Sequence, residues 1–134
     1  METKQSILLI DDEPDLLDNL RLTLEMAGYQ TATATDGAEA LAVLESQPVG
    51  LILSDISMPC MDGYQLYDRI RENPRWTEIP FIFLTGCRFL SDKEIRYGKG
   101  LGVEEYLTKP IRSEQLLLAV LSKLQPTRLE EART

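Results

Sequence analysis

The chain contains no histidine among its 134 residues. This absence excludes a Ser-His-Asp triad, a Cys-His pair and a histidine-ligated zinc site within the chain. It also means that the chain cannot itself carry a phosphohistidine. There are only two cysteines, Cys60 and Cys87, and they lack the spacing of a metal site, so we expect free thiols in a reducing compartment.

Long apolar runs and positive charge are also scarce. No run approaches the roughly 20 apolar residues of a membrane-spanning helix, and the N-terminal sequence lacks the regions of a signal peptide. We therefore expect a cytoplasmic protein that makes no membrane contact. Lysine and arginine total 14 against 22 acidic residues, and the net charge of −8 argues against direct binding of nucleic acid. It fits either a plain solvated surface or docking on basic proteins.

What the chain does contain is an alternation of strand-like and helix-like segments. Pro14 and Gly28 are placed to begin and end a first helix, and Asp36 and Glu39 have capping-box spacing before a second. A weaker helix, the fourth in chain order, is predicted over 91–101. Apolar residues recur with helical spacing at Leu16, Leu17, Leu20 and Leu24, at Ala40, Leu41 and Leu44, at Leu66, Tyr67 and Ile70, and at Leu116, Leu117, Val120, Leu121 and Leu124.

The alternating units predict an α/β fold with a mostly parallel sheet covered by helices on both faces. Three of the strand-like runs are apolar on both faces and should be central, whereas the second and fifth runs are more polar and should be edges. A doubly wound five-stranded sheet of order 2-1-3-4-5 meets this requirement. The runs lie at 7–10, 29–34, 51–54, 81–84 and 103–108. We expect one domain over residues 1–125, followed at 126–134 by a tail or the start of a linker.

Polar residues of different chemical kinds follow four of these runs. Asp11 and Asp12 follow the first, Asp55 the third, Thr85 the fourth and Lys109 the fifth. The ends of parallel strands share one edge, and open α/β sheets bind ligands there, at the switch point between strands 1 and 3. Taken singly, Thr85 is equally a turn hydroxyl and Lys109 a surface ion-pair partner. Their joint order along the chain indicates one site.

Three carboxylates at one edge repel one another and favour a hard cation such as Mg²⁺. We expect Asp12 and Asp55 to bind it directly, Asp11 to bind through water, and the backbone carbonyl of Ser57 to complete the set. The alternative for the acidic pair is favourable charge at the start of the next helix. That alternative is weaker for Asp55, because a carboxylate that closes an apolar strand is costly without a partner.

Four segments carry a family resemblance: Leu-Leu-Ile-Asp-Asp-Glu-Pro at 8–14, Ser-Asp-Ile-Ser-Met-Pro-Cys-Met-Asp-Gly at 54–63, Pro-Phe-Ile-Phe-Leu-Thr-Gly at 80–86 and Tyr-Leu-Thr-Lys-Pro at 106–110. Over about residues 5–124 the chain resembles the response-regulator receiver domain of two-component signalling, and in particular its chemotaxis-regulator-like members. The resemblance implies a flavodoxin-like (βα)5 fold. It also implies a signalling switch without turnover of a diffusing substrate.

The resemblance implies a role for each residue at the sheet edge. Asp55 would accept a phosphoryl group from the phosphohistidine of a sensor histidine kinase or from a phosphotransfer protein. Mg²⁺ held by Asp11, Asp12 and Asp55 would neutralise charge on the transferring group. Lys109 would pair with one phosphoryl oxygen, and the hydroxyl of Thr85 would donate to another.

The resemblance also implies an output. Movement of Thr85 toward the phosphoryl group would open space for an aromatic ring, and Tyr106 matches the family's switch aromatic. From the residue alone, Tyr106 is an ordinary edge-strand tyrosine. The output face would combine helix 4 (91–101), strand 5 and helix 5, and would bind an unidentified output protein. We expect a monomer or weak homodimer.

Three other functions compete with the receiver. A haloacid-dehalogenase-like phosphohydrolase needs an Asp-x-Asp pattern and a cap domain, but Asp11 is followed directly by Asp12. A flavin-binding module needs a Ser/Thr/Gly-rich loop after strand 1, where this chain has Asp-Asp-Glu-Pro. A receiver-like scaffold that is never phosphorylated stays open, as do three forms of output: binding a partner alone, passing the phosphoryl group onward, or serving a longer regulator.

Overall fold

The computed structural model describes residues 6–56, 63–85, 105–108 and 111–133. Five parallel strands form one sheet in the order β2-β1-β3-β4-β5, so the predicted order is confirmed and the two polar runs are its edges. The strands are β1 (Ser6–Ile10), β2 (Thr31–Ala34), β3 (Val49–Asp55), β4 (Phe81–Thr85) and β5 (Glu105–Thr108). The helices are α1 (Pro14–Met26), α2 (Gly37–Ser46), α3 (Gly63–Arg71) and the C-terminal helix (Ser113–Arg133).

Helices cover both faces of the sheet because its central strands are apolar on both sides. Successive side chains of a strand point to opposite faces, and Ile7 and Leu9 of β1 join one buried cluster while Leu8 and Ile10 join the other. The first cluster includes residues of α1 and the C-terminal helix, and the second includes residues of α2 and α3. This two-sided burial makes β1, β3 and β4 the rigid centre of the molecule.

Local signals set the ends of α1 as the sequence predicts. Pro14 occupies its first turn, where a missing N–H costs nothing. Gly28 follows the helix with a φ of +97°, a conformation that glycine adopts without strain. The N–H of Gly28 donates to the carbonyl of Glu25, and that of Tyr29 donates to the carbonyl of Leu24. This is the double hydrogen bond of a Schellman motif, and it turns the chain toward β2.

The start of α2 has the predicted cap with one change of partner. The carboxylate of Asp36 accepts the N–H of Glu39 at 2.8 Å. The carboxylate of Glu39 accepts both the N–H and the hydroxyl of Thr35, at 2.5 and 2.9 Å, and so reaches one residue further back than in the usual capping box. The reciprocal bonds hold the chain between β2 and α2.

The C-terminal helix differs from the prediction in length and in one position of its apolar face. It continues through Pro126 to Arg133, so the expected end near residue 125 is wrong. A proline inside a helix removes one backbone N–H and crowds the preceding turn, but the Leu, Glu, Ala and Arg beyond Pro126 are good helix formers. Leu121, expected to face the core, is 39% exposed, while Ala119 is buried. The division of the chain at residue 125 stays a prediction.

Two other expectations concern residues at the margins of the description. The predicted helix over 91–101 and both cysteines, Cys60 and Cys87, lie outside the described residues. The last strand is described as Glu105–Thr108 rather than 103–108. None of the helices in the described ranges carries an apolar stretch of the length that a bilayer crossing requires.

The cap of α2 yields a prediction about stability. Asp36→Ala removes the acceptor for the Glu39 N–H and should lower the free energy of unfolding by about 1 kcal/mol. Urea denaturation monitored by circular dichroism measures this loss. Asp68→Ala, which removes an exposed carboxylate from α3, should change it by less than about 0.5 kcal/mol. Equal losses in the two variants would contradict the capping role.

Candidate functional site

The site lies where β1 and β3 end side by side. These strands are paired with Ile10 opposite Ser54, so the next residue of each is an aspartate, Asp11 and Asp55. After β1 the chain enters α1 on one face of the sheet, whereas α3 packs on the other. Divergence of this kind opens a crevice at the switch point of a doubly wound sheet.

The structure brings the three predicted carboxylates together in this crevice. Asp11, Asp12 and Asp55 each offer one carboxylate oxygen, and these atoms all lie within 4.8 Å of one another. Asp11 is fully buried, Asp55 is 6% exposed, and Asp12 is exposed. The cluster therefore has a buried base and one member open to solvent. A set of oxygen donors with this charge suits a hard divalent cation.

Asp11 also contacts the start of α1, as expected if the acidic pair supplies favourable charge there. Its Oδ1 accepts the N–H of Glu13 at 2.9 Å, and its own N–H donates to the carbonyl of Ala34 in β2 at 3.1 Å. Glu13 is the N-cap of α1 and makes no side-chain cap of its own. The hydrogen bond from the Glu13 N–H thus orients the Asp11 carboxylate within the cluster.

Asp55 is held by backbone contacts to the neighbouring strand. It is the last residue of β3 and pairs with Leu84 of β4. The N–H of the following residue, Ile56, donates to the carbonyl of Leu84 at 3.3 Å, and the hydroxyl of Ser54 donates to the carbonyl of Asp55 at 2.9 Å. The carboxylate is therefore presented from the end of a rigid central strand.

Gly63 shapes the site by its close approach to the end of β3, although no role for it was predicted from the sequence. Its N–H donates to the carbonyl of Ile56 at 2.7 Å. A Cβ at this position would collide with the carbonyl oxygen of Asp55 and would lie 2.9 Å from the Cα of Ile56 and 3.0 Å from the ring of Phe83. Only glycine lets α3 approach the end of β3 this closely. The available signal was its position at the end of the 54–63 motif.

The remaining predicted site residues are only partly within the described chain. Thr85 ends β4 and pairs with Thr108, the last residue of β5, so both strands end at the edge that carries the carboxylates. Lys109 follows Thr108 in the sequence, and it lies outside the described residues, as does Ser57. Their predicted roles stay predictions.

Tyr106 of β5 belongs to a cluster of aromatic rings beneath the crevice. It is half-buried and packs over Phe83, with ring centroids 5.7 Å apart. Its hydroxyl oxygen is 3.2 Å from that of Tyr64 in α3. Phe83 is the residue opposite Tyr106 in the sheet, whereas Tyr64 lies on α3, so Tyr106 contacts a helix as well as its neighbouring strand.

Comparison with known families assigns the chain to a class. The family model described as response regulator receiver domain matches residues 7–121, which include all of the described strands except the first residue of β1. The chain belongs to the response-regulator receiver domain family of two-component systems. A receiver domain is a signalling switch rather than a classical enzyme. Membership of this family weighs against the phosphohydrolase and flavin-module alternatives.

Individual relatives agree with this assignment. The chemotaxis protein CheY4 of Vibrio cholerae has a similar structure, with a TM-score of 0.84 at 31% identity over 91% of this chain and 100% of that one. The DNA-binding dual master transcriptional regulator RpaA of Synechocystis sp. is 36% identical over 121 residues, which are 90% of this chain and 49% of RpaA. An uncharacterized 14.6 kDa protein of Leptolyngbya boryana is 38% identical over 87% of this chain and 88% of its own length. The chain spans about half the length of RpaA and of several other curated relatives that it matches.

The close approach of Gly63 yields a prediction. Gly63→Ala should lower the free energy of unfolding by about 2–3 kcal/mol, because the added methyl group meets backbone that cannot move independently. It should also shift the backbone amide NMR signals of Asp55 and Ile56. Gly28→Ala is the control, since its Cβ meets nothing within 4 Å and only the positive φ opposes it, at about 1 kcal/mol. Unchanged Asp55 and Ile56 signals in Gly63→Ala would contradict the packing.

Proposed function

We propose that this chain is the phosphoacceptor switch of a two-component phosphorelay and that Asp55 takes up the phosphoryl group. The observation that carries the proposal is the cluster of Asp11, Asp12 and Asp55, with carboxylate oxygens within 4.8 Å of one another at the carboxyl edge of the sheet. Membership of the receiver family supports the same chemistry. The donor would be the phosphohistidine of a sensor kinase or of a phosphotransfer protein.

In the proposed reaction an oxygen of the Asp55 carboxylate attacks the phosphorus of the donor phosphohistidine. The new P–O bond gives an aspartyl phosphate, and the P–N bond breaks with its electron pair going to the departing imidazole. Transfer of this kind depends on positioning and on electrostatic stabilisation. Asp55 is suited to the acceptor role because its backbone is fixed by β4 and by the contact with Gly63.

A divalent cation is required in this proposal, and the donor set fits Mg²⁺. Its ligands would be the carboxylates of Asp11, Asp12 and Asp55 and the backbone carbonyl of Ser57. The ion would reduce the repulsion between the negative phosphoryl group and the three carboxylates. Asp12 is the exposed member and would give the ion a ligand at the mouth of the crevice. The buried Asp11 would define its floor.

Two further residues are proposed to bind the phosphoryl group once it is attached. Thr85 follows Leu84, the residue paired with Asp55, and its hydroxyl would donate to one phosphoryl oxygen. Lys109 comes directly after β5, and its compact ammonium would pair with another oxygen. The support for Thr85 is its backbone position, and the support for Lys109 is its place in the sequence and the family motif at 106–110.

The proposed output runs through Tyr106 to a face that β5 and the C-terminal helix would share with the segment 91–101, which lies outside the described residues. Leu118 and Leu121 lie three residues apart on this helix and are 66% and 39% exposed, so they offer apolar contacts to an output protein. The protein would work in the cytoplasm, as a monomer or weak homodimer and without direct nucleic-acid binding. The output would be delivered by binding a partner, by passing the phosphoryl group onward or through a longer regulator.

The acceptor assignment is tested by the intact mass of the protein. Incubation with acetyl phosphate and Mg²⁺ should add one phosphoryl group to the unmodified chain and none to Asp55→Asn, because the amide lacks the nucleophilic carboxylate. Asp15→Asn, which changes an exposed acidic residue in the first turn of α1, should be labelled like the parent. Equal labelling of Asp55→Asn, or no labelling of the parent, would overturn the proposal.

The cation site is tested by binding of Mg²⁺ measured by titration calorimetry. Asp12→Asn removes one charge from the cluster and should weaken binding by about tenfold or more, consistent with the loss of one charged ligand. It should leave the fold intact because Asp12 is exposed. Asp15→Asn should bind the ion with the affinity of the parent. The same affinity in Asp12→Asn and Asp15→Asn would contradict the proposed ligand set.

A further inference from the structure

A hydrogen bond between two tyrosines joins α3 to the edge strand β5. The hydroxyl oxygens of Tyr64, the second residue of α3, and Tyr106 are 3.2 Å apart although the residues are 42 positions apart in the chain. Phe83 of β4 packs against both rings, with centroid distances of 4.9 Å to Tyr64 and 5.7 Å to Tyr106. The three rings therefore form a continuous contact across three elements.

The Tyr64 end of this contact is tied to the backbone that follows Asp55. Tyr64 is preceded by Gly63, whose N–H donates to the carbonyl of Ile56 at 2.7 Å. The Cα of Gly63 lies so close to Asp55 and Ile56 that no Cβ fits between them. We therefore expect a displacement of the chain after Asp55 to displace the first turn of α3, and Tyr64 with it.

The hydrogen bond between Tyr64 and Tyr106 favours one orientation of the Tyr106 ring. Tyr64 is 8% exposed and Tyr106 is half-buried. A hydrogen bond between two neutral hydroxyl groups contributes about 1 kcal/mol net. If the Tyr106 ring turned away from Phe83, the hydrogen bond to Tyr64 would be lost. The bond therefore favours the orientation in which Tyr106 covers Phe83.

We propose that Tyr64 is a positioning residue for Tyr106 and transmits the state of the Asp55 segment to β5. Tyr64 holds the Tyr106 ring in place, and a shift of Gly63 changes that hold. The coupling is reciprocal by linkage, so a partner that fixes Tyr106 would also stabilise one arrangement of the Asp55 segment. The response to a phosphoryl group rests on the function proposed above, whereas the positioning of Tyr106 is a property of the unmodified chain.

The first test is made on the unmodified protein by NMR with ¹³C-labelled tyrosine rings, the Tyr106 signal being assigned from Tyr106→Phe. Tyr64→Phe keeps the ring and removes the hydroxyl. It should shift the Tyr106 signal. It should also raise about fivefold the ratio of molecules whose Tyr106 ring is turned outward, away from Phe83, to those whose ring covers Phe83, which is the effect of losing one net hydrogen bond. The ratio is read from broadening of the signal by a soluble paramagnetic agent.

Tyr67→Phe is the matched control for this measurement. Tyr67 lies on the same helix and is 3% exposed, and its ring packs on Phe81 and Phe83 at 5.0 and 6.2 Å. Its substitution should leave Tyr106 as in the parent. An unchanged Tyr106 signal in Tyr64→Phe, or the same change in Tyr67→Phe, would overturn the positioning role.

The second test adds acetyl phosphate and Mg²⁺ and follows the protein mass and the tyrosine signals together. Phosphorylation of the parent should shift the Tyr64 and Tyr106 signals in parallel, and the Tyr106 shift should be reduced at least twofold in Tyr64→Phe. Phosphorylation without change at Tyr64 would overturn the transmission and leave the proposed function standing. An unchanged mass would overturn the proposed function, and the first test would still decide whether Tyr64 positions Tyr106.

Discussion

The register between β1 and β3 is the constraint on which the site depends. Ile10 lies opposite Ser54, and the residues that follow are two aspartates. A slip by one residue would turn every side chain of a strand to the other face, and both faces of these strands are filled with apolar side chains. Core packing therefore opposes any movement that would separate Asp11 from Asp55. The mutual repulsion of the carboxylates is balanced by the stability of the sheet beneath them.

The crevice and the aromatic cluster are joined by one close backbone contact. Gly63 brings the start of α3 against the end of β3, and the next residue of the helix, Tyr64, is a member of the ring cluster with Phe83 and Tyr106. A charge added at Asp55 would act on a segment that packs directly against the start of α3. The core beneath it is close-packed, so displacement is transmitted rather than absorbed. A continuous set of contacts thereby joins Asp55 to Tyr106 on the edge strand.

The buried charges lie at the carboxyl edge of the sheet rather than in its apolar interior. Among the described residues the buried charged side chains are Asp11 and Asp55, which lie at the carboxyl ends of β1 and β3. A cation bound at this cluster would act over short distances in a partly buried site, where electrostatic interactions are stronger than at an open surface. The exposed Asp12 and the buried Asp11 give the cluster an outer and an inner side.

The strand order and the three carboxylates follow from the sequence, because two-sided apolar runs, polar edges and residues that directly follow strands are all local patterns. The need for glycine at position 63 and the contact between Tyr64 and Tyr106 are visible only in the folded chain, since both depend on the distance between elements far apart in the sequence. The tertiary structure also showed that the last helix crosses Pro126 and leaves Leu121 exposed. Helical spacing marks an apolar face, but the neighbouring strands decide which part of that face is covered.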